Sequence, residues 1–183
     1  LFGHTVPSEL RSKWAMSIRR PIGVAGLITP FNFPLAIPTW KAFPALLCGN
    51  AVILKPSEDV PHTCTLLVEI LLEAGLPPEV IQLVHGGGAA GKALVDHPDV
   101  PVISFTGSSA TGRKVAAQCG ERLISCAMEL GGKNALLVLP DAPLWRAVPG
   151  AVQGITSNSG QLCISIERIY VHDAVYDAFV PRL

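Results

Sequence analysis

Short, nearly continuous apolar runs alternate along this chain with longer segments whose apolar residues recur at helical spacing. The runs over 22–29, 51–55, 80–84, 102–106, 123–128, 135–139 and 165–171 are rich in Val, Ile and Leu. That pattern predicts strands buried on both faces of a sheet. Residues 61–74 predict the clearest helix: Pro61 stands in the first turn, a Leu/Ile/Val stripe follows, and Gly75 supplies the stop. Residues 89–96 and 108–119 predict two more, the second closed by Gly120. Residues 34–48 start as a helix and continue in apolar turns that Pro38 and Pro44 make irregular. Such alternation predicts parallel βαβ units, hence an α/β fold with an open sheet and helices on both faces. The composition changes after Gly131 and Gly132, where a second α/β unit is expected to begin. The expected organisation is an arm or edge ribbon over 1–20, a sheet domain over 21–130 and the start of another domain over 131–183.

Composition narrows the function classes. Of 183 residues, 49% are apolar and 15% are charged, which excludes a disordered chain. Fourteen basic and fourteen acidic side chains cancel, so no global field exists to hold nucleic acid or an anionic membrane. Residues 21–40 are uncharged over about the span of a bilayer helix. Four prolines within them would break the internal hydrogen bonding that lipid demands, so a membrane span is not expected. The chain opens on Leu1 with no basic-then-apolar leader, as expected of a piece from within a longer protein. Five cysteines, at 48, 64, 119, 126 and 163, are odd in number and mostly set in apolar stretches, which suits reduced thiols in a cytoplasm. No CxxC occurs and the five histidines show no metal-ligand spacing, so no metal site is expected.

Several segments carry candidate chemistry, each beside a plainer explanation. Gly86, Gly88 and Gly91 form a G-x-G-x-x-G between a strand and a helix, suited either to a pyrophosphate or to a tight turn with no ligand. No acidic residue stands about twenty positions on to read a ribose. Phe105, Thr106, Gly107 and Ser108 make a second strand-to-helix turn, where serine either meets a phosphate or caps the helix. Lys55 and Glu58 frame Pro56 and Ser57 at a strand end, fit to hold two ribose hydroxyls or to form a solvated loop pair. Cys163 ends a polar, glycine-containing loop, a better setting for a nucleophile than the apolar runs around Cys48 and Cys64. Glu129, between Met128 and Leu130, is either an acid made basic by desolvation or a surface carboxylate. Asn32, framed by Phe31, Phe33, Pro30 and Pro34, is an amide donor just past the first strand or an ordinary turn residue.

Taken in order, these segments resemble the NAD(P)-dependent aldehyde dehydrogenase superfamily. The likeness runs through Pro30-Phe-Asn-Phe-Pro34, Trp40-Lys41, Pro44 to Asn50, Lys55-Pro-Ser-Glu58, Phe105-Thr-Gly-Ser108, Glu129-Leu-Gly-Gly-Lys-Asn134 and Gly160-Gln-Leu-Cys163. The 34-residue interval from Glu129 to Cys163 agrees with the family. Phe31 stands where the family usually has tryptophan, and the Gly86–Gly91 loop is one residue shorter. The resemblance implies a Rossmann-like cofactor sheet and the beginning of a catalytic domain. It implies that Cys163 attacks the aldehyde, Asn32 and the Cys163 amide hold the oxyanion, and Glu129 activates the water that hydrolyses the thioester, with Lys41 among the catalytic groups. Cofactor contacts would come from Ile28, Thr29, Pro30, Asn32, Lys55, Ser57, Glu58, Gly88, Phe105, Gly107, Ser108, Glu129, Leu130 and Gly131. Glu58 should accept both ribose hydroxyls and repel a 2′-phosphate, which favours NAD, with NADP as the other possibility. The implied partner is a small aldehyde, and the full-length protein would be a homo-oligomer. Residues 160–170 are similar to one bacterial succinate-semialdehyde dehydrogenase branch. However, Trp40 and Ser157 stand where well-studied members of that activity place carboxylate-gripping arginines. The alternatives are a succinate-semialdehyde enzyme, or a truncated dinucleotide-binding piece with no catalysis of its own.

Overall fold

A computed structural model describes residues 3–183; Leu1 and Phe2, the first two residues of the expected arm, lie outside the described residues. Two compact units divide between Glu129 and Leu130. The first begins with a ribbon in which β1 (Thr5–Val6) pairs antiparallel with β2 (Ala15–Met16). Its main body is β3 (Val24–Ile28), α1 (Ala36–Leu47), β4 (Ala51–Lys55), α2 (Pro61–Glu73), β5 (Ile81–Leu83), α3 (Gly88–Asp96), β6 (Val102–Thr106), α4 (Ser109–Glu121) and β7 (Ser125–Glu129). The five strands from β3 to β7 form a wholly parallel sheet in the order β5-β4-β3-β6-β7. The fold is α/β with helices on both faces, and the chain reverses its direction across the sheet between β3 and β6.

Burial explains the order. β3 is central, and Ala25, Leu27 and Ile28 are all buried. On one face Ala25, Leu27, Val52 and Leu54 pack against Ala42 of α1 and Cys64 and Val68 of α2. On the other, Gly26 permits the approach of α3: a Cβ there would stand 2.7 Å from the Ile103 side chain and 3.2 Å from Leu94. β7 departs from the expectation of a strand buried on both faces. It is a sheet edge with four of its five residues exposed, because among the described residues it pairs with β6 alone and α4 covers one side.

Two helices of this unit end in the same way. After α2, the Gly75 amide donates to Leu72 and the Leu76 amide to Leu71, with Gly75 in the left-handed region at φ +95°. After α1, Gly49 at φ +80° and Asn50 repeat the pattern on Leu46 and Ala45. Both are Schellman turns, in which glycine tolerates a backbone that a Cβ disfavours. The Asn50 carboxamide oxygen also accepts from the amides of Ile22 and Gly23 at 2.7 and 3.1 Å, fixing where β3 begins. α4 is the exception. Gly120 was the expected stop, yet the helix continues to Glu121 and the left-handed position falls on Leu123, at φ 54° and 93% exposed. The Leu123 and Ile124 amides still close on Gly120 and Cys119, so the motif forms three residues later with an ill-suited residue. That shift explains why β7 begins at Ser125 instead of 123.

The second unit holds β8 (Asn134–Val138), α5 (Leu144–Thr156), β9 (Ile166–Val171) and α6 (Asp173–Phe179), with β8 parallel to β9. Its core is Val138, Ala151 and Phe179. α5, which carries Pro149, Gly150 and Gly154, is absent from the sequence expectations. Leu144, Ala147, Val148 and Ala151 nevertheless give a helical stripe packed into that core. Gly154 is required where it stands, since a Cβ would overlap the Ile166 side chain of β9.

Replacing Leu123 by glycine should remove the strain at the end of α4 without loss of packing. The L123G variant is expected to gain about 0.5–1 kcal/mol, read as a higher urea midpoint at unchanged slope.

Candidate active site

A cleft of about 590 Å³ opens at the carboxyl ends of β3 and β6, where the helices leave to opposite faces of the sheet. Open α/β sheets bind ligands at such a switch point. Ten of the expected cofactor residues line it: Ile28, Thr29, Pro30, Lys55, Ser57, Glu58, Gly88, Phe105, Gly107 and Ser108. Lys92, Lys114 and Gln118 line it too and were not expected. Their periodicity on α3 and α4 reads only as solvent-facing helix, so nothing local in the sequence marks them.

Lys55 is buried, with 5% exposure, which disposes of the solvated-pair alternative for the lysine. Its ammonium lies 3.4 Å from a carboxylate oxygen of the more exposed Glu58. Glu58's own backbone amide, then the Lys55 hydrogen bond, then the Lys55 charge hold this carboxyl below the ordinary glutamate range. Gly87 borders the pair: a Cβ there would sit 3.2 Å from Glu58 Oε1.

The two helix starts facing the cleft differ. Ser108 caps α4, accepting from the Thr111 amide at 3.2 Å and donating to the Thr111 hydroxyl. The Gly107 amide is engaged as well, donating to the Glu129 carbonyl at 3.1 Å. α3 begins at Gly88 with no side-chain cap, so its first-turn amides are open to an anion. The hydroxyls of Thr29 and Thr106, both on the cleft, are buried with no hydrogen-bond partner among the described residues.

Asn32 lies half-buried in the bend just past the cleft residue Phe31. Lys41 works from α1 against the sheet face opposite Phe105, donating to the Ser104 hydroxyl at 2.6 Å. Burial lowers the Lys41 pKa, and the charge of Glu129 opposes that shift. Glu129 ends β7 opposite Thr106 and is exposed, a correction to the apolar surroundings its neighbours in sequence suggested. Leu130 and Gly131 follow it, in the second unit.

Within that second unit, Cys163 is exposed in the loop between α5 and β9. Asn158, Ser159 and Gly160 before it are all left-handed, at φ 48°, 57° and 75°. Such a run persists only where its surroundings hold it. Asn134 anchors the end of this loop, its amide donating to the carbonyls of Cys163 and Ser165 at 2.7 and 2.9 Å. Ser165 adds a bond to the Gly160 carbonyl at 3.0 Å. Neither residue was expected to have a role; the partner of Asn134 is 29 positions away, and no local pattern announces such a bond.

The aldehyde dehydrogenase family model matches residues 1–183, and the chain belongs to that family. It is 45% identical over 168 residues to 2-hydroxymuconic semialdehyde dehydrogenase of Pseudomonas putida, covering 91% of this chain and 35% of that protein. A solved E. coli protein described as an NADP dependent enzyme superposes at a TM-score of 0.97 with 40% identity, covering 100% of this chain and 38% of the other. A structure of PnpE in complex with nicotinamide adenine dinucleotide superposes at 0.96 with 41% identity, covering 100% and 37%. The chain thus spans about a third of the length of the curated relatives it matches. Among the described residues no helix is long and apolar enough to cross a membrane.

Two outcomes follow. With Lys55→Met, the Glu58 pKa should rise but stay below the ordinary value, because the backbone amide remains; carboxyl NMR titration reads this. A depressed pKa stabilises the fold above the unfolded value and loses that effect as pH falls through the folded one, so the variant's stability should depend less on acid pH. Asn134→Ala should cost about 1–3 kcal/mol and speed alkylation of Cys163, measured by thermal unfolding and thiol labelling.

Proposed function

We propose that the protein carrying this chain oxidises an aldehyde to a carboxylic acid, with Cys163 as nucleophile and NAD in preference to NADP as cofactor. The observation that supports this most is the switch-point cleft, where Lys55 and Glu58 sit together beside an uncapped helix start. The residues present suit a dinucleotide. Unpartnered hydroxyls of Thr29 and Thr106 offer polar contacts, and the glycine wall at Gly87 leaves room beside the Glu58 carboxylate. When bound, the dinucleotide supplies the hydride acceptor.

On this reading Lys55 and Glu58 bind the adenosine ribose, and the carboxylate disfavours a 2′-phosphate by charge repulsion. Gly107 and Ser108 lie beside the diphosphate. The Cys163 thiolate adds to the aldehyde carbon, and the Asn32 amide and the Cys163 N–H donate to the oxyanion that develops. Glu129 then takes a proton from water, which attacks the cysteine thioester and restores the thiol as the acid leaves. Lys41, near Glu129 and tied to Ser104, steadies that carboxylate electrostatically. The same reading makes the full-length protein a homo-oligomer of the cytoplasm, a compartment that suits five free cysteines.

In the full-length protein, Cys163→Ala should abolish NADH formation across a panel of aldehydes that includes succinate and 2-hydroxymuconic semialdehydes. Dinucleotide binding, followed by fluorescence titration, should be retained. Turnover by the variant would remove Cys163 from the mechanism, and a preference for NADP+ would overturn the role given to Glu58.

A further inference from the structure

Two cysteines outside the cleft and outside the Cys163 loop face each other. Cys119, near the end of α4, is fully buried, and Cys126, the second residue of β7, is exposed. Cys126 pairs in register with Ile103, so its side chain points to the sheet face that carries Ile103, the face on which α4 packs against β6 and β7. The chain between them turns sharply at Leu123, and the Ile124 amide donates to the Cys119 carbonyl at 3.0 Å. The backbone thereby returns the strand alongside the helix end that holds Cys119. The Cys126 side chain lies close enough to act electrostatically on the Cys119 thiol.

We propose that Cys119 and Cys126 are a redox pair that closes into an intramolecular disulfide when the protein meets a peroxide. The exposed Cys126 reacts first. Its thiolate attacks one peroxide oxygen, the O–O bond breaks, and a sulfenic acid forms while the departing hydroxide takes up a proton as water. Cys119 resists direct oxidation: burial foremost, and then Cys126 beside it, pushes its thiol up to about 11, with Arg122 pulling the other way. Its sulfur is the nucleophile that the packing of α4 on β7 brings beside the new sulfenic acid. Attack there forms the S–S bond and expels hydroxide, which leaves as water with the Cys119 proton. Two thiols and one hydrogen peroxide give one disulfide and two waters, and a dithiol reductant reverses the change. Because α4 contributes Thr111, Lys114 and Gln118 to the cleft, the bridge ties a cleft-lining helix to the sheet edge.

Tryptic cleavage after Lys114, Arg122 and Lys133 places the two cysteines in separate peptides, 115–122 and 123–133. The full-length protein is treated with stoichiometric hydrogen peroxide, its remaining thiols are alkylated, and it is digested without reductant. The expected product is a linked pair of these peptides that separates on reduction, and with Cys119→Ser a Cys126 that proceeds to sulfinic acid. A wild-type digest in which Cys119 is alkylated while Cys126 is sulfinic or likewise alkylated overturns the proposal. That comparison needs no variant to fold.

Discussion

Everything in the first unit depends on one topological constraint: adjacent parallel strands β3 and β6 send their following helices to opposite faces of the sheet. Chain leaving two neighbouring strand ends in opposite directions cannot fill the space above them, so a crevice forms without any side chain being sacrificed to make it. The central position of β3 follows from its near-complete burial, and Gly26 lets α3 close over it. Hydrophobic packing of an ordinary kind therefore creates the polar site. The residues that differ between a bare crevice and a ligand site are those at the strand ends, above all Lys55.

Much of this was legible beforehand because parallel sheets buried on both faces write themselves as apolar runs. All seven expected strands have their ends within two residues of the observed ones, and the α2 stop at Gly75 rests on a φ only glycine adopts readily. What escaped has a physical reason in each case. α5 carries Pro149 and two glycines, and tertiary packing of its apolar stripe outweighs their cost. Gly120 looked like a stop, but α4 ends where Leu123 accepts an unfavourable backbone so that β7 can turn back onto the sheet. In the site, residues at strand ends and glycine turns were visible as local patterns. Lys92, Lys114 and Asn134 were not, since their relevance arises from distant partners or from the face of a helix that happens to border the crevice.

The two helix starts at the crevice show how a motif divides between architecture and recognition. Ser108 and Gly107 are committed to holding α4 and β7 in place, through Thr111 and the Glu129 carbonyl. The glycine loop before α3 has no such internal partner. A glycine-rich turn thus leaves its amides available, whereas a serine-capped one is already half satisfied. Glu129 illustrates the same division: its backbone ties two strand ends together while its side chain stays at the surface.

The burial of Lys55 carries an evolutionary implication. Its ammonium depends on the Glu58 carboxylate 3.4 Å away for compensation. A substitution at residue 58 that removed the negative charge to welcome an extra phosphate would also strand a cation in a poorly hydrated niche. On the reading proposed for Glu58, cofactor choice and conformational robustness are therefore coupled. On that reading, a change from one dinucleotide to the other would lower stability unless positions 55 and 58 changed in concert.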